Sequence, residues 1–515
     1  MSHAPKQIAI RGGIVVNPES DGASPEALDL LIVGDRIAEA VPRGAPFATA
    51  ADRENLETID ARERMIVPGF VNAHYHSYDV LAKGLLEDMP FDVWALHSQP
   101  AYFGPRSKAE LRMRVLLGAI ECLRNGITTI QDMNSLAPQD EETLDVILSA
   151  YEEVGIRVVF SIALRDVGAL DIAPFLPPGV PAAVLARIQG LDRDPLPDLA
   201  FVERQIDRRR DLTDRIRWGL SPSGPQRCSR TLLEGLADIG RRRGLPLFTH
   251  VYETKAQTAK ARVLYAAQGG SMIDYLDEIG LLAPNATLAH CVWLREAEIA
   301  KLAERGVNVA HNPISNMKLK SGVAPMRALM CEGVNVALGC DNSSCGDCQN
   351  MFQAMKALCL LAAVADPQPT GVRAADALRA ATVGGARALN LQDQVGALRP
   401  GMKADLMIVD LTDPAYMPFN DATRQLVFSE SGRGVETTIV DGRVVMRNRR
   451  MTTVDERAIL AELGEIMKAF RRDFDVVAAA NREAEPYLIA ANQNVARSEV
   501  GVERFLDARR WIDFN

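Results

Sequence analysis

The chain has 515 residues and a formal net charge of −9, which suits two or three domains, or one large α/β barrel with additions. Hydrophobic residues make up 47% and charged residues 24%, as in globular proteins with a sizeable core, and the acidic balance excludes nucleic acid and anionic membrane as partners. Eight cysteines are too few for a disulfide scaffold, and no run approaches the roughly 18 apolar residues of a membrane span, so a reducing cytoplasm is the expected compartment.

The N-terminal residues show no apolar secretory core. Residues 8–67 alternate and turn often, and IAIRGGIVVN, LDLLIVGDRIAEAV and ENLETIDARERMIV predict short antiparallel strands. From residue 68 the texture changes, and short apolar runs alternate with long amphipathic segments such as SKAELRMRVLLGAIECLRNG and SRTLLEGLADIGRRRG. The runs begin with MIVPGFVNAHYH and continue at 127–133, 156–166, 216–223, 246–251, 286–290, 307–311 and 334–341. Eight such units in series predict a closed (β/α)8 barrel over residues 68–389, with function at the C-terminal strand ends. Arg208-Arg209-Arg210 and Arg241-Arg242-Arg243 fall among acidic residues and read as solvated helix faces. Strand texture returns at 403–411 and 435–448, so residues 1–67 and 390–450 are expected to form one small β-sandwich from both chain ends. Residues 451–515 read as a mostly helical tail.

The predicted strands end on His74 and His76, Asp132, Asp166, Ser221, His250, His290, His311 and Asp341. A packed core gives no reason for this, and five of the seven histidines of the chain fall here. His74 and His76 lie two residues apart on a strand and share a face. His250 and Asp341 would meet them from the other side of a closed barrel. Three imidazoles and one carboxylate suit a borderline divalent cation, zinc with iron as the alternative, leaving a position for water.

PGFVNAHYH (68–76), the HxxE of His250 to Glu253, AHCVWL (289–294), HNPISNMKLKSGVAP (311–325) and GCDNSS (339–344) together resemble the amidohydrolase superfamily, in its cytosine-deaminase-like and chlorohydrolase-like branch. GALRPGMKADLMIVDL (396–411) and VDGRVV (440–445) resemble that branch's returning sandwich strands. The resemblance implies metal ligands at His74, His76, His250 and Asp341, and catalytic roles for Glu253, His290 and Asp341. A hydroxide generated at the cation near neutral pH would be the nucleophile. Asp341 would take its proton, Glu253 would protonate the leaving nitrogen and His290 would stabilise developing charge. A related branch holds two metals on a lysine at the fourth strand. IRWGLSPSGPQRC has no lysine there, so one ion is expected.

The expected reaction is hydrolysis at a carbon bearing nitrogen, by deamination or dealkylamination of a small heterocycle. The alternatives are an amide, urea, carbamate or aryl chloride hydrolase of the same fold, or a non-enzymatic scaffold. Gln226, Arg227, Trp94, Asn342 and Ser343 are the candidate substrate contacts, with Trp94 as a stacking face. The segment 79–106, the PSGPQRC loop and the 342–348 loop depart from the pattern of adenine-nucleoside and cytosine deaminases, which argues against those substrates. Cys345 and Cys348 read as bland thiols beside the pocket, and His97 as a solvent-exposed loop residue. A homo-oligomer is expected.

Overall fold

The computed structural model describes residues 6–19, 24–49, 56–366, 368 and 371–506. The eight predicted runs all contain barrel strands. Strand one is Phe70–His76, strand two Ile127–Asn134 and strand three Arg157–Leu164. Strand four is broken into Ile216–Trp218 and Ser221–Pro222; strands five, six and seven are Leu247–Val251, Ala286–His290 and Asn308–His311; strand eight is Asn335–Leu338 continued by Asp341–Asn342. All neighbouring pairs run parallel. The ring closes twice. Asp341–Asn342 pairs with Tyr75 and His76 of strand one, and a bridge from Leu220 to Leu247 joins strands four and five.

The helices between the strands have legible ends. Ser107, Asp140 and Ser229 cap helices Lys108–Arg124, Glu141–Val154 and Arg230–Arg243 by accepting a backbone N–H three residues on, which satisfies donors the first turn leaves free. Inside the barrel, Val71, Ala73, Val159, Phe248, Ala310 and Ala337 form one buried cluster. Ala386 and Ala388, from helix Val383–Ala388, and Leu391 join that cluster. With the lower half filled, the strands' C-terminal ends are the open face.

Strands from both chain ends share one sheet. Leu406–Asp410 pairs antiparallel with Arg64–Pro68 and with Val435–Val440. A second sheet carries Gln7–Arg11, Leu28–Val33, Arg36–Pro42 and Leu56–Asp60. Ile8, Ile10 and Ile32 of that sheet pack on Ile66, Leu406 and Ile439 of the first. The tail forms two helices, Glu456–Asn481 and Glu485–Ala496, and residues 507–515 of it lie outside the described residues. Among the described residues no helix is long and apolar enough to cross a membrane.

Candidate active site

His74 and His76 leave strand one toward the barrel axis and are buried. The Nε2 atoms of both lie 3.4 Å from Asp341 Oδ1. His250 Nε2 is 3.4 Å from His76 Nε2, while His290 Nε2 lies 3.8 Å from Asp341 Oδ2 and 3.9 Å from Glu253 Oε1. Two rings are oriented by main chain. His76 Nδ1 donates to Met133 O at 2.6 Å and His250 Nδ1 to Ser223 O, so each presents the Nε2 lone pair to the shared space. His290 Nδ1 meets Asn316 Oδ1 at 2.8 Å, and Ser315 donates to Asp341 Oδ2 at 2.6 Å. His290 and Asp341 both have left-handed backbone, with φ of 73° and 60°. That conformation costs a residue with a Cβ about 1–2 kcal/mol, and it sits at the two strand ends whose side chains must turn inward.

These groups fit a cation. The Nε2 of His74 is buried without a hydrogen-bond partner. Ligand atoms of His74, His250 and His290, of His74, His76 and Asp341, and of Glu253, His290 and Asp341 lie within 4.8 Å of one another inside each set. Burial holds the His74 imidazole down at about 4 and His250 well below its ordinary range, with His74 and His76 adding to the effect. Burial opposes ionisation of Asp341, but the His74 and His76 rings, 3.4 Å away, outweigh it and hold the carboxyl well below its usual range. His74 and His250 held neutral beside an ionised carboxylate belong to the donor set a borderline cation takes.

Glu253 follows His250 by three residues, beyond the end of strand five, and is buried. Its backbone N–H donates to Gln257 Oε1 at 2.9 Å, and Gln257 Nε2 donates back to its Oε2 at 3.3 Å. Burial raises its carboxyl above the ordinary value, against the pull of His290. It therefore carries a proton more readily than an exposed glutamate.

A cavity of about 350 Å³ opens above these residues, lined by His76, His250, His290, Glu253 and Asp341 among others. Of the proposed substrate contacts, Trp94, Arg227 and Asn342 line it. Trp94 donates its indole N–H to Ser344 Oγ at 2.8 Å, so only its ring faces the cavity. Gln226 and Ser343 stand behind the wall. Gln226 donates to Asp171 Oδ2 at 3.0 Å, and the buried Ser343 accepts from Gln349 at 3.3 Å. Both read as loop residues near a site, but short-range hydrogen bonds pull them into the scaffold. Arg227 is fastened to Asp171 at 2.7 Å.

His97 corrects the expectation of an exposed loop. It is buried in helix Phe91–Ser98, and its Nε2 lies 2.9 Å from Glu485 Oε1 of the tail. Cys345 is buried and Cys348 half-buried, both as free thiols. Asp132 is buried in bonds from Ser77 and Tyr151, and His311 is absent from the clustered sets. Sequence reasoning missed Asp92 and Asp171 in the cavity wall. Asp92 is buried with Oδ2 unpartnered, and burial followed by the charge of Asp171 pushes its carboxyl up to about 7. The FDVW segment offered a signal for Asp92, a carboxylate two residues before the Trp already chosen. Asp171 carried none.

The amidohydrolase family profile matches residues 65–445. A 5′-deoxyadenosine deaminase of Methanothermobacter thermautotrophicus is 34% identical over 461 residues, covering 86% of this chain and 97% of that one. A 5-methylthioadenosine/S-adenosylhomocysteine deaminase of Thermococcus onnurineus is 33% identical over 455 residues, covering 86% and 95%. Among solved structures, an adenosine deaminase from Xanthomonas campestris with bound zinc superposes with a TM-score of 0.78 at 26% identity, covering 92% and 100%. Atrazine chlorohydrolase TrzN from Arthrobacter aurescens TC1, with zinc, has a TM-score of 0.77 at 24% identity, covering 89% and 100%, and speaks to fold alone. The chain belongs to the amidohydrolase family and is an enzyme that hydrolyses carbon–nitrogen bonds at a His/His/His/Asp metal-binding site.

Proposed function

We propose that the enzyme deaminates the exocyclic amine of an adenine nucleoside, with one zinc ion held by His74, His76, His250 and Asp341. The observation that carries this reading is the pairing of buried Glu253, its carboxyl raised by burial, with His290 3.9 Å away beside the donor set. When bound, the cation supplies hydroxide from water near neutral pH. Asp341 accepts the proton of the attacking water, and Glu253 delivers a proton to the departing nitrogen. His290 donates to the oxygen that arrives at the ring carbon. Water enters, the carbon–nitrogen bond breaks, and ammonia leaves a ring carbonyl behind.

The loop sequences argued against adenine nucleosides. The relatives of similar length, matched end to end at a third identity, carry that substrate in their names and outweigh loop texture. The cavity suits it as well: Trp94 offers a ring face, and Asp92 an unpartnered carboxyl oxygen for a sugar hydroxyl. A cytoplasmic homo-oligomer completes the reading. Leu360 and Val364 stand exposed on helix Met351–Ala365 and offer an apolar face to a second copy, which sedimentation can test. The activity is tested by ammonia release from 5′-deoxyadenosine and S-adenosylhomocysteine by the metal-quantified protein. Turnover with one ion per chain supports the reading, and metal-replete protein inert on both contradicts it.

A further inference from the structure

Two stretches of the cavity wall and the helix that follows Glu253 lie far apart in sequence, and one helix of the tail touches all three. Helix Phe91–Ser98 brings Asp92, Trp94 and Ala95 to the cavity, while Val93, Leu96 and His97 face the other way. On that far side Val93 and Leu96 join Ile172, Leu488, Ala491 and Val495 in a buried cluster of its own. The segment after strand three, which supplies Leu170 and Asp171 to the wall, is tied to the same tail helix by Asn494 Nδ2 donating to Phe175 O at 3.0 Å. Helix Lys255–Leu264, directly after Glu253, is tied by Lys255 Nζ donating to Ala496 O at 2.9 Å. Polar contacts join helix Phe91–Ser98 as well: His97 Nε2 lies 2.9 Å from Glu485 Oε1, and Asn481, at the end of the preceding helix, donates to Leu96 O.

We propose that helix Glu485–Ala496 is a working part of the substrate cavity, holding Asp92 and Trp94 in place through Glu485 and Leu488. No residue of this helix lines the cavity, so Glu485 and Leu488 are positioning residues. Glu485 fixes His97 on the far face of helix Phe91–Ser98, and Leu488 fixes the seat of that helix. The hydrogen bonds and ion pairs of His74, His76, His250 and Asp341 run to the barrel strands and their loops. Loosening the tail therefore degrades substrate binding and leaves the metal in place.

This inference rests on the deaminase reading for its assay. The zinc-loaded full-length enzyme is compared with Glu485→Ala, Glu485→Gln and Leu488→Ala on 5′-deoxyadenosine. The expected result is a KM raised about tenfold in Glu485→Ala and Leu488→Ala, with kcat within about twofold and metal content unchanged. Glu485→Gln, which keeps an acceptor for His97, recovers part of the loss. A KM unmoved in both folded variants overturns the proposal, as does a loss of kcat together with metal. If the wild-type enzyme leaves 5′-deoxyadenosine untouched, the substrate reading fails by itself. The tail is then judged by amide hydrogen exchange in helix Phe91–Ser98 of the zinc-loaded protein. Leu488→Ala should exchange there several-fold faster than Ile439→Val, a control in the sandwich core, with zinc content unchanged, and equal rates overturn the proposal.

Discussion

Ser315 donates to the Asp341 oxygen that faces His290, and so holds the carboxylate proposed both as ligand and as proton acceptor. Ser315→Ala is expected to weaken zinc affinity about 10- to 100-fold, the scale on which residues that orient a ligand act, as read by chelator competition. His76→Ala removes a proposed ligand outright and should leave protein without tightly bound metal or turnover, as elemental analysis and an ammonia assay would show. At Asp171, burial works to raise the carboxyl, and Arg227 and Lys260 more than cancel it, holding it at about 2 against an ordinary 3.8. Its folded value is depressed, so its stabilisation is fully present above pH ~4 and is lost as pH falls toward 2. Asp171→Asn should flatten the acid limb of the stability profile between those limits, measured by urea unfolding at several pH values. At this scale the sequence was legible where chemistry is anomalous. Histidines and an aspartate at strand ends have no packing rationale, whereas Asp92 and Asp171 sit in segments whose composition is that of any loop.

The strand ends themselves depend on close packing between neighbouring elements. Gly339 lies between the two pieces of strand eight, and a Cβ there would meet Asn312 Oδ1 at 2.2 Å and His74 Cβ at 2.8 Å. Gly339→Ala is therefore expected to fold with strands one and eight pushed apart, and to bind zinc more weakly than wild type by isothermal titration. The eight apolar runs were readable because strands buried on both faces leave short continuous hydrophobic stretches. The breaks in strands four and eight were not, since they come from closing the ring and leave the pattern unchanged. His97 failed for a related reason. The contact that buries it lies 388 residues away, beyond any local periodicity.

At the scale of the molecule, the barrel is riveted to the sheets that flank it. Arg157, at the start of strand three, donates to both oxygens of Asp405 at 2.7 and 3.0 Å and to Asp441 at 2.9 Å, and Lys403 reaches Asp441 at 3.1 Å. Arg157 and Asp405 are fully buried, so removing one partner strands the other's charge. Asp405→Ala should cost about 3–5 kcal/mol, seen as a lower urea midpoint. The return of strand texture after residue 400 pointed to this union of the chain ends, although the ionic rivet beneath it did not show in the pattern. We infer that residues 1–67 and 390–450 fold as one unit on the barrel.

In the proposed division of labour four residues hold one metal ion and Glu253 moves the proton. Bound zinc and kcat measured together on Glu253→Gln test this most directly, because the amide keeps the shape and loses only the exchangeable proton. The account predicts wild-type zinc content, near-normal binding of a substrate analogue and kcat lowered about 10²-fold or more. A variant that loses its zinc, or one that turns over like wild type, contradicts it.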